Sequence, residues 1–169
     1  LGERVGIVLE PQHLWIRADE KTRVLERNQP PVARGQRHLP VVSEQQRGVP
    51  ASCVVLAGFS QGGAVALHTG LRHPQRLAGI LAMSCYLPFP EKLAAEKSAA
   101  NADVPILLCH GRSDPVVPIA MGLEARDELQ AHGYKPEWLD YPMQHSVCME
   151  EIAEVARWLR QRLPANVVG

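Results

Sequence analysis

From Pro50 onward, short apolar runs alternate with amphipathic helical patterns. The run from Cys53 to Ala57 is continuously apolar, which is typical of a strand buried on both faces of a sheet. Apolar runs recur from Leu77 to Met83 and from Pro105 to Cys109, and residues 137–141 alternate like a strand nearer the sheet edge. This alternation predicts an α/β fold in which a mostly parallel sheet is flanked by helices.

The helical patterns lie between and after these runs. Small residues from Gln61 to about Leu71 predict a helix that packs closely against the sheet, and a short helix is predicted near residues 91–100. A third helix is predicted from about Pro118 to Ala131, stopping at Gly133, and the last from about Val147 to Leu163. The apolar stripe predicted for this last helix consists of Ile152, Val155, Trp158, Leu159 and Leu163.

The first 45 residues carry weaker patterns. Residues 5–9 are a candidate strand, whereas Pro11, Pro30, Pro31 and Pro40 interrupt the rest without a clear period. We therefore predict one α/β domain over residues 1–169, with its recognisable core at residues 46–163.

Composition and charge exclude several function classes. Lys plus Arg and Asp plus Glu both number 18, whereas a nucleic-acid binder normally carries a basic excess. No apolar run approaches the roughly 18 residues that a membrane-spanning helix needs, and we expect no signal peptide. The cysteines form no C-x-x-C pair and are predicted to be buried free thiols, which favours a cytoplasmic protein.

One motif carries clear chemistry. Residues 58–62, Gly-Phe-Ser-Gln-Gly, match the G-x-S-x-G nucleophile elbow and lie between a predicted buried strand and a predicted helix. At such an elbow a strained turn projects the serine hydroxyl above the sheet, and the glycines prevent a Cβ clash. Ser60 is therefore the candidate nucleophile, and the backbone N–H of Gln61 is the candidate oxyanion donor. The alternative is that Ser60 only caps a glycine-rich helix.

A serine nucleophile needs a base and a carboxylate that orients the base. In α/β-hydrolases these follow the serine in the order Asp or Glu, then His, each in a loop after a strand. Asp114 follows the predicted strand that ends at Cys109, and His145 follows residues 137–141. Order and placement predict a triad of Ser60, His145 and Asp114. Taken singly, Asp114 also fits an Asp-Pro turn, and His145 fits a polar helix start.

The sequence offers no second site of comparable strength. No zinc-like cluster, P-loop or dinucleotide-binding motif occurs. Phe59, Tyr86 and Leu87 flank strand ends and are predicted to lie beside Ser60. The remaining histidines are predicted to be structural or solvated; they are His13, His38, His68, His73, His110 and His132.

The elbow is the first of several matching segments. Residues 47–64, 81–88, 109–118 and 141–147 resemble the carboxylesterase and acyl-protein thioesterase (lysophospholipase-like) family of the α/β-hydrolase superfamily. The resemblance covers about residues 44–163. It implies the α/β-hydrolase fold, Ser60, Asp114 and His145 as the triad, and hydrolysis of small short- to medium-chain acyl esters or thioesters without a cofactor.

The N-terminal part departs from this family. Its members carry an early His-Gly-Leu-Gly loop that supplies a second oxyanion donor, and here Leu1-Gly2 alone resembles its end. Losing one donor typically costs ~2.7–4 kcal/mol of transition-state stabilisation. One hypothesis is therefore an active serine carboxylesterase or thioesterase. The alternatives are a truncated or degenerate hydrolase fold with weak or no catalysis, which binds a ligand or partner, and another hydrolase such as a lipase or peptidase.

Overall fold

Six strands pair into one sheet in the computed structural model, which describes residues 6–10, 16–17 and 48–163. In chain order they are β1 (Gly6–Glu10), β2 (Ile16–Arg17), β3 (Val54–Phe59), β4 (Gly79–Met83), β5 (Ile106–Gly111) and β6 (Glu137–Tyr141). Their spatial order is β2-β1-β3-β4-β5-β6, and all neighbouring pairs are parallel except β1 with β2. The predicted mostly parallel sheet is therefore confirmed, with β6 at an edge.

Helices connect the strands. The α-helices of the described residues are α1 (Gln61–Arg72), α2 (Pro90–Glu96), α3 (Ile119–Ala131) and α4 (Met149–Arg162). Their positions agree with the prediction, except that α2 ends at Glu96 and a separate 3-10 turn follows at Ala99–Asn101. Another 3-10 turn, Ala51–Cys53, leads into β3.

Helices cover both faces of the sheet. On one face, Leu56 of β3 lies in a buried cluster with Leu67 of α1 and Leu129 of α3. On the other face, the adjacent residue Val55 lies in a cluster with Trp158 of α4. Because successive strand residues point to opposite faces, β3 needs apolar side chains at consecutive positions. This explains the continuous apolar run that predicted the strand.

The sequence predicted buried free thiols and no apolar run long enough to span a membrane. All four cysteines are free, and Cys85 and Cys109 are buried as expected, whereas Cys53 and Cys148 are half-buried. Within the described residues, no helix combines the length and the apolarity needed to cross a membrane.

The apolar stripe predicted for α4 is partly wrong. Ile152 is 47% exposed, whereas Glu151 beside it is fully buried. The helix begins at Met149, which makes Glu151 its third residue, a position from which a side chain reaches back to the capping N–H. The other stripe residues pack against the sheet as predicted; they are Val155, Trp158, Leu159 and Leu163.

Glu151 is a carboxyl group inside the fold. Burial raises its pKa to about 7, and the N–H of Cys148 and the thiol of Cys109 offset part of that shift. Neither oxygen has a hydrogen bond of ordinary geometry to another described residue. Ionising a carboxyl in such surroundings is costly, so Glu151 binds a proton more tightly in the folded chain than in the unfolded chain.

We expect Glu151→Gln to increase the free energy of unfolding more at pH 8 than at pH 5, by about 2 kcal/mol. A carboxyl whose pKa is raised on folding contributes stability that is complete below its ordinary value of 4.5 and is lost as pH rises through about 7. Glutamine cannot ionise, so the variant lacks this loss. Urea unfolding of the wild type and the variant at both pH values measures the difference.

Glu150→Gln, at the residue before Glu151, is the matched control. Glu150 is exposed, and a hydrogen bond from its own backbone N–H lowers the pKa of its carboxyl. Its substitution should therefore produce a small change of the opposite sign. Parallel stability–pH curves for the wild type and Glu151→Gln would contradict the prediction.

Candidate active site

Ser60 lies between β3 and α1 in a strained backbone conformation. Its φ is 57° and its ψ is −125°, a region that residues other than glycine rarely adopt. Its N–H donates to the Met83 carbonyl oxygen at the end of β4, at 2.8 Å. Its own carbonyl oxygen accepts from the N–H of Ala64 in the first turn of α1, at 3.2 Å. These contacts hold Ser60 at the carboxyl edge of the sheet.

The turn at Ser60 depends on close contact between Gly58 and the start of α1. A Cβ at Gly58 would lie 2.1 Å from the carbonyl carbon of Gly62, far inside van der Waals contact. Glycine is therefore needed two residues before the serine, which gives the spacing of the sequence motif a steric cause.

His145 reaches Ser60 from the loop after β6. Its Nε2 lies 3.0 Å from the Ser60 Oγ, within hydrogen-bond distance. The ring packs against Phe59, with centroids 4.7 Å apart and an interplanar angle of 47°. The side chain of His145 is 16% exposed, so the imidazole is enclosed but reachable.

Asp114, in the loop after β5, completes the chain of hydrogen bonds. Its Oδ2 accepts from His145 Nδ1 at 2.6 Å, and its Oδ1 accepts from the N–H groups of Val116 and Val117 at 2.8 and 2.9 Å. Burial favours the neutral acid, but these hydrogen bonds outweigh it and lower the pKa of Asp114 below its usual value. The ionised carboxylate fixes the proton of His145 on Nδ1, which leaves Nε2 as an acceptor toward Ser60.

Backbone contacts hold the loops after β5 and β6 together. The N–H of Ser113 donates to the Met143 carbonyl oxygen at 3.1 Å. A Cβ at Gly111 would lie 2.3 Å from the Gln144 carbonyl oxygen, which is one residue before His145. The end of β5 therefore sets the position of the loop that carries the imidazole.

Gln61 is the first residue of α1, as the sequence predicts. An N–H at this position has no acceptor within its own helix, and the helix dipole adds partial positive charge there. It follows Ser60 directly, so it stays a candidate donor to negative charge near that serine. Leu1 and Gly2, where the sequence analysis looked for a second donor, lie outside the described residues.

The remaining histidines were predicted to be structural or solvated. Among the described residues, no group of three or more metal-ligating side chains lies together. His73 is buried, and His68 and His132 are half-buried. His13 and His38 lie outside the described residues.

His110 lies near the site, beside the loop that carries Asp114. It is buried, its Nε2 lies 2.9 Å from the Val117 carbonyl oxygen, and the same atom lies 3.9 Å from Asp114 Oδ2. The prediction that it is structural or solvated did not include a hydrogen bond to Val117, which the structure shows. The available signal was its position at a strand end, four residues before Asp114.

The family follows from comparison with known proteins. A family model described as phospholipase/carboxylesterase matches residues 34–163. The chain belongs to this family. The resemblance predicted from the sequence is thus confirmed.

Relatives in the phospholipase/carboxylesterase family include acyl-protein thioesterases. The chain is 42% identical to acyl-protein thioesterase 1 of Neurospora crassa over 127 residues, which are 73% of this chain and 52% of that protein. It is 38% identical to acyl-protein thioesterase 1 of Gibberella zeae over 130 residues, or 75% of this chain and 55% of that protein. The chain therefore spans about half the length of the curated relatives it matches.

Solved structures show the same fold. SOBER1 of Arabidopsis thaliana aligns with a TM-score of 0.71 and 29% identity over 75% of this chain and 61% of that chain. Acyl-protein thioesterase 2 of Zea mays aligns with a TM-score of 0.64 and 29% identity over 73% of this chain and 62% of that chain. The predicted α/β-hydrolase fold is confirmed by these similarities.

We expect Gly111→Ala to slow the reaction of Ser60 with a fluorophosphonate, a reagent for base-activated serines, by about tenfold or more. The added Cβ would displace the Gln144 carbonyl oxygen and with it the loop that carries His145. The rate of labelling, normalised to the folded fraction from circular dichroism, measures the effect.

Gly79→Ala controls for general damage from a Cβ in the same sheet. Gly79 lies at the opposite, amino-terminal end of β4, and its added Cβ would lie 2.5 Å from the Trp158 ring. This variant should lose stability while its folded fraction is labelled at the wild-type rate. Equal labelling rates for both variants would show that Gly111 does not position the His145 loop.

Proposed function

We propose that the chain is a serine hydrolase that cleaves short- to medium-chain acyl esters or thioesters. The observation that carries this proposal is the hydrogen-bond chain from Ser60 through His145 to Asp114, built on a strained elbow. A base within hydrogen-bond distance of a serine, itself oriented by a carboxylate, is the arrangement that activates a hydroxyl. Membership of the phospholipase/carboxylesterase family supports the same chemistry.

In the acylation half of the proposed reaction, Ser60 Oγ attacks the acyl carbon while His145 Nε2 takes the hydroxyl proton. The imidazolium that forms is stabilised by the ionised Asp114 through the 2.6 Å hydrogen bond to Nδ1. Collapse of the tetrahedral intermediate breaks the bond to the alcohol or thiol, which receives the proton from Nε2. The acyl group is then esterified to Ser60.

In the deacylation half, water replaces the departed alcohol or thiol. His145 Nε2 takes a proton from water as the water oxygen attacks the acyl carbon, and the second tetrahedral intermediate expels Ser60 Oγ. The proton returns to Ser60, and the carboxylic acid leaves. Every step uses nucleophilic and acid–base chemistry of these side chains, so the proposal requires no cofactor.

The Gln61 N–H is the proposed donor to the oxyanion in both intermediates. Its place at the start of α1, directly after Ser60, brings an unpaired donor and the positive end of the helix dipole to the reacting carbon. Such a donor is fixed before the reaction begins, so it stabilises the charge without reorganisation.

The substrate class is supported by apolar side chains beside the catalytic groups. Val116, two residues after Asp114, is 64% exposed, and Val147, two residues after His145, is 48% exposed. Exposed apolar side chains this near to Asp114 and His145 in the chain suit an acyl chain as substrate. The names of the relatives, acyl-protein thioesterase 1, favour a thioester among the substrates.

The cellular compartment and the absence of nucleic acid as a partner stay predictions. Four free thiols fit a reducing compartment, and we propose the cytoplasm. A formal net charge of zero argues against nucleic acid as a partner.

Ser60→Ala is expected to abolish hydrolysis, with a loss on the order of 10⁶-fold in kcat. Asp114→Asn should lower kcat by about 10⁴-fold because it disturbs the tautomer and orientation of His145. Hydrolysis of p-nitrophenyl esters and acyl thioesters of increasing chain length measures kcat and KM. Mass spectrometry after fluorophosphonate treatment identifies the labelled residue.

Ser113→Ala is the matched control, because Ser113 is an exposed serine next to Asp114. It should be labelled at Ser60 and should turn over substrate like the wild type. A folded wild-type chain whose Ser60 does not react, or a Ser60→Ala variant with unchanged activity, would overturn the proposal. The first of these results would favour the degenerate, non-catalytic hydrolase fold.

A further inference from the structure

The ring of His110 is buried and closely packed. Its side chain is 1% exposed, and the ring stacks on Trp138 of β6, with centroids 6.0 Å apart and an angle of 20° between the planes. On α3, a Cβ at Gly122 would lie 2.5 Å from His110 Nδ1. These contacts restrict how the imidazole can turn, and in the structure they leave Nδ1 toward α3.

In this orientation Nε2 points to the loop that carries Asp114. Nε2 lies 2.9 Å from the Val117 carbonyl oxygen. Since a carbonyl oxygen only accepts, Nε2 carries a hydrogen and donates it. The N–H of the same residue, Val117, donates to Asp114 Oδ1 at 2.9 Å. Val117 is thus held by His110 on one side and holds the carboxylate on the other.

His110 also lies near the second carboxylate oxygen. Its Nε2 is 3.9 Å from Asp114 Oδ2, the oxygen that accepts from His145 at 2.6 Å. An N–H donor at this distance, in buried surroundings, adds a favourable field for the negative charge. The carboxylate therefore lies between two imidazoles with different roles.

We propose that His110 is a positioning residue that holds Asp114 in the orientation His145 requires. This inference rests on the proposed function, since it assigns Asp114 the task of orienting the base. His110 does not touch Ser60 and acts through Val117 and the carboxylate. Its donated hydrogen bond fixes the segment between β5 and α3, and a shift of that segment would lengthen the bond between Asp114 and His145.

Trp138, on which His110 stacks, is itself held by neighbouring side chains. Trp138 donates from Nε1 to Asp140 Oδ2 at 3.0 Å, and Asp140 forms an ion pair with Arg112. The guanidinium carbon of Arg126, on α3, lies over the Trp138 ring, 5.7 Å from its centroid. Asp114 therefore lies near His110 itself, whereas Asp140 and Arg126 contact the indole on which His110 stacks.

Two substitutions that differ by one methylene group separate positioning from packing. The amide nitrogen of glutamine reaches the place of Nε2, whereas that of asparagine reaches only the place of Nδ1. His110→Asn is expected to lower kcat by about tenfold to a hundredfold with little change in KM, whereas His110→Gln should recover most of the activity.

A spectroscopic measurement tests the same inference without turnover. In the Ser60→Ala background, the proton on His145 Nδ1 should give a strongly downfield NMR signal while it is shared with Asp114. We expect this signal to persist with His110→Gln and to be lost or moved upfield with His110→Asn. An unchanged signal and unchanged kcat in His110→Asn, with only a lower Tm, would make His110 a packing residue and overturn the proposal.

The two proposals fail in different ways. A wild type without esterase activity or labelling, together with the expected loss of the NMR signal, would refute the proposed function and support the positioning role. Gly122→Ala gives a second route if His110→Asn does not fold, because its Cβ presses on His110 Nδ1 while alanine favours the helix. It should weaken the same NMR signal. A wild-type signal in Gly122→Ala would count against His110 as the support of Asp114.

Discussion

The site depends on four parallel strands whose carboxyl ends lie at one edge of the sheet. The loops after β3, β5 and β6 open at that edge, which brings together residues that are 85 and 31 positions apart in the chain. β4 lies between β3 and β5, and hydrogen bonds at its end connect it to both neighbours. Its Met83 carbonyl oxygen accepts from Ser60, and the next N–H, that of Ser84, donates to the Cys109 carbonyl oxygen at 2.8 Å. The alignment of the candidate triad is therefore a property of sheet register.

The parts of the fold that could be predicted from the sequence are those in which apolar side chains mark the buried positions. β3 and β5 are buried on both faces and read as continuous apolar runs. β6 is an edge strand that is less buried than β3 and β5, and its bounds of Glu137–Tyr141 agree with the prediction. Ser60, Asp114 and His145 were recognisable as candidates because each lies in the segment after a strand, in the chain order that α/β-hydrolases share.

The features that the sequence did not predict depend on backbone groups and on single buried polar side chains. The donors to Asp114 Oδ1 are main-chain N–H groups, and a main-chain donor leaves no trace in residue type. His110 donates to a carbonyl oxygen, so its partner is equally invisible in the sequence. Helical periodicity favoured Ile152 as buried, but the start of α4 places Glu151 inside instead. A hydrophobic pattern describes an average over a helix face, whereas a first-turn carboxyl follows the capping geometry.

Two buried carboxyl groups, Asp114 and Glu151, show that nearby hydrogen-bond donors determine whether a buried carboxyl group is ionised. Desolvation opposes ionisation at both Asp114 and Glu151. Asp114 receives hydrogen bonds from one imidazole and two backbone N–H groups, and its pKa falls. Glu151 lacks donors of ordinary geometry among the described residues, and its pKa rises to about 7. Burial therefore does not by itself make a carboxyl a useful partner for a base. The hydrogen-bond donors fixed around Asp114, including the segment that His110 holds, are what keep its charge beside His145.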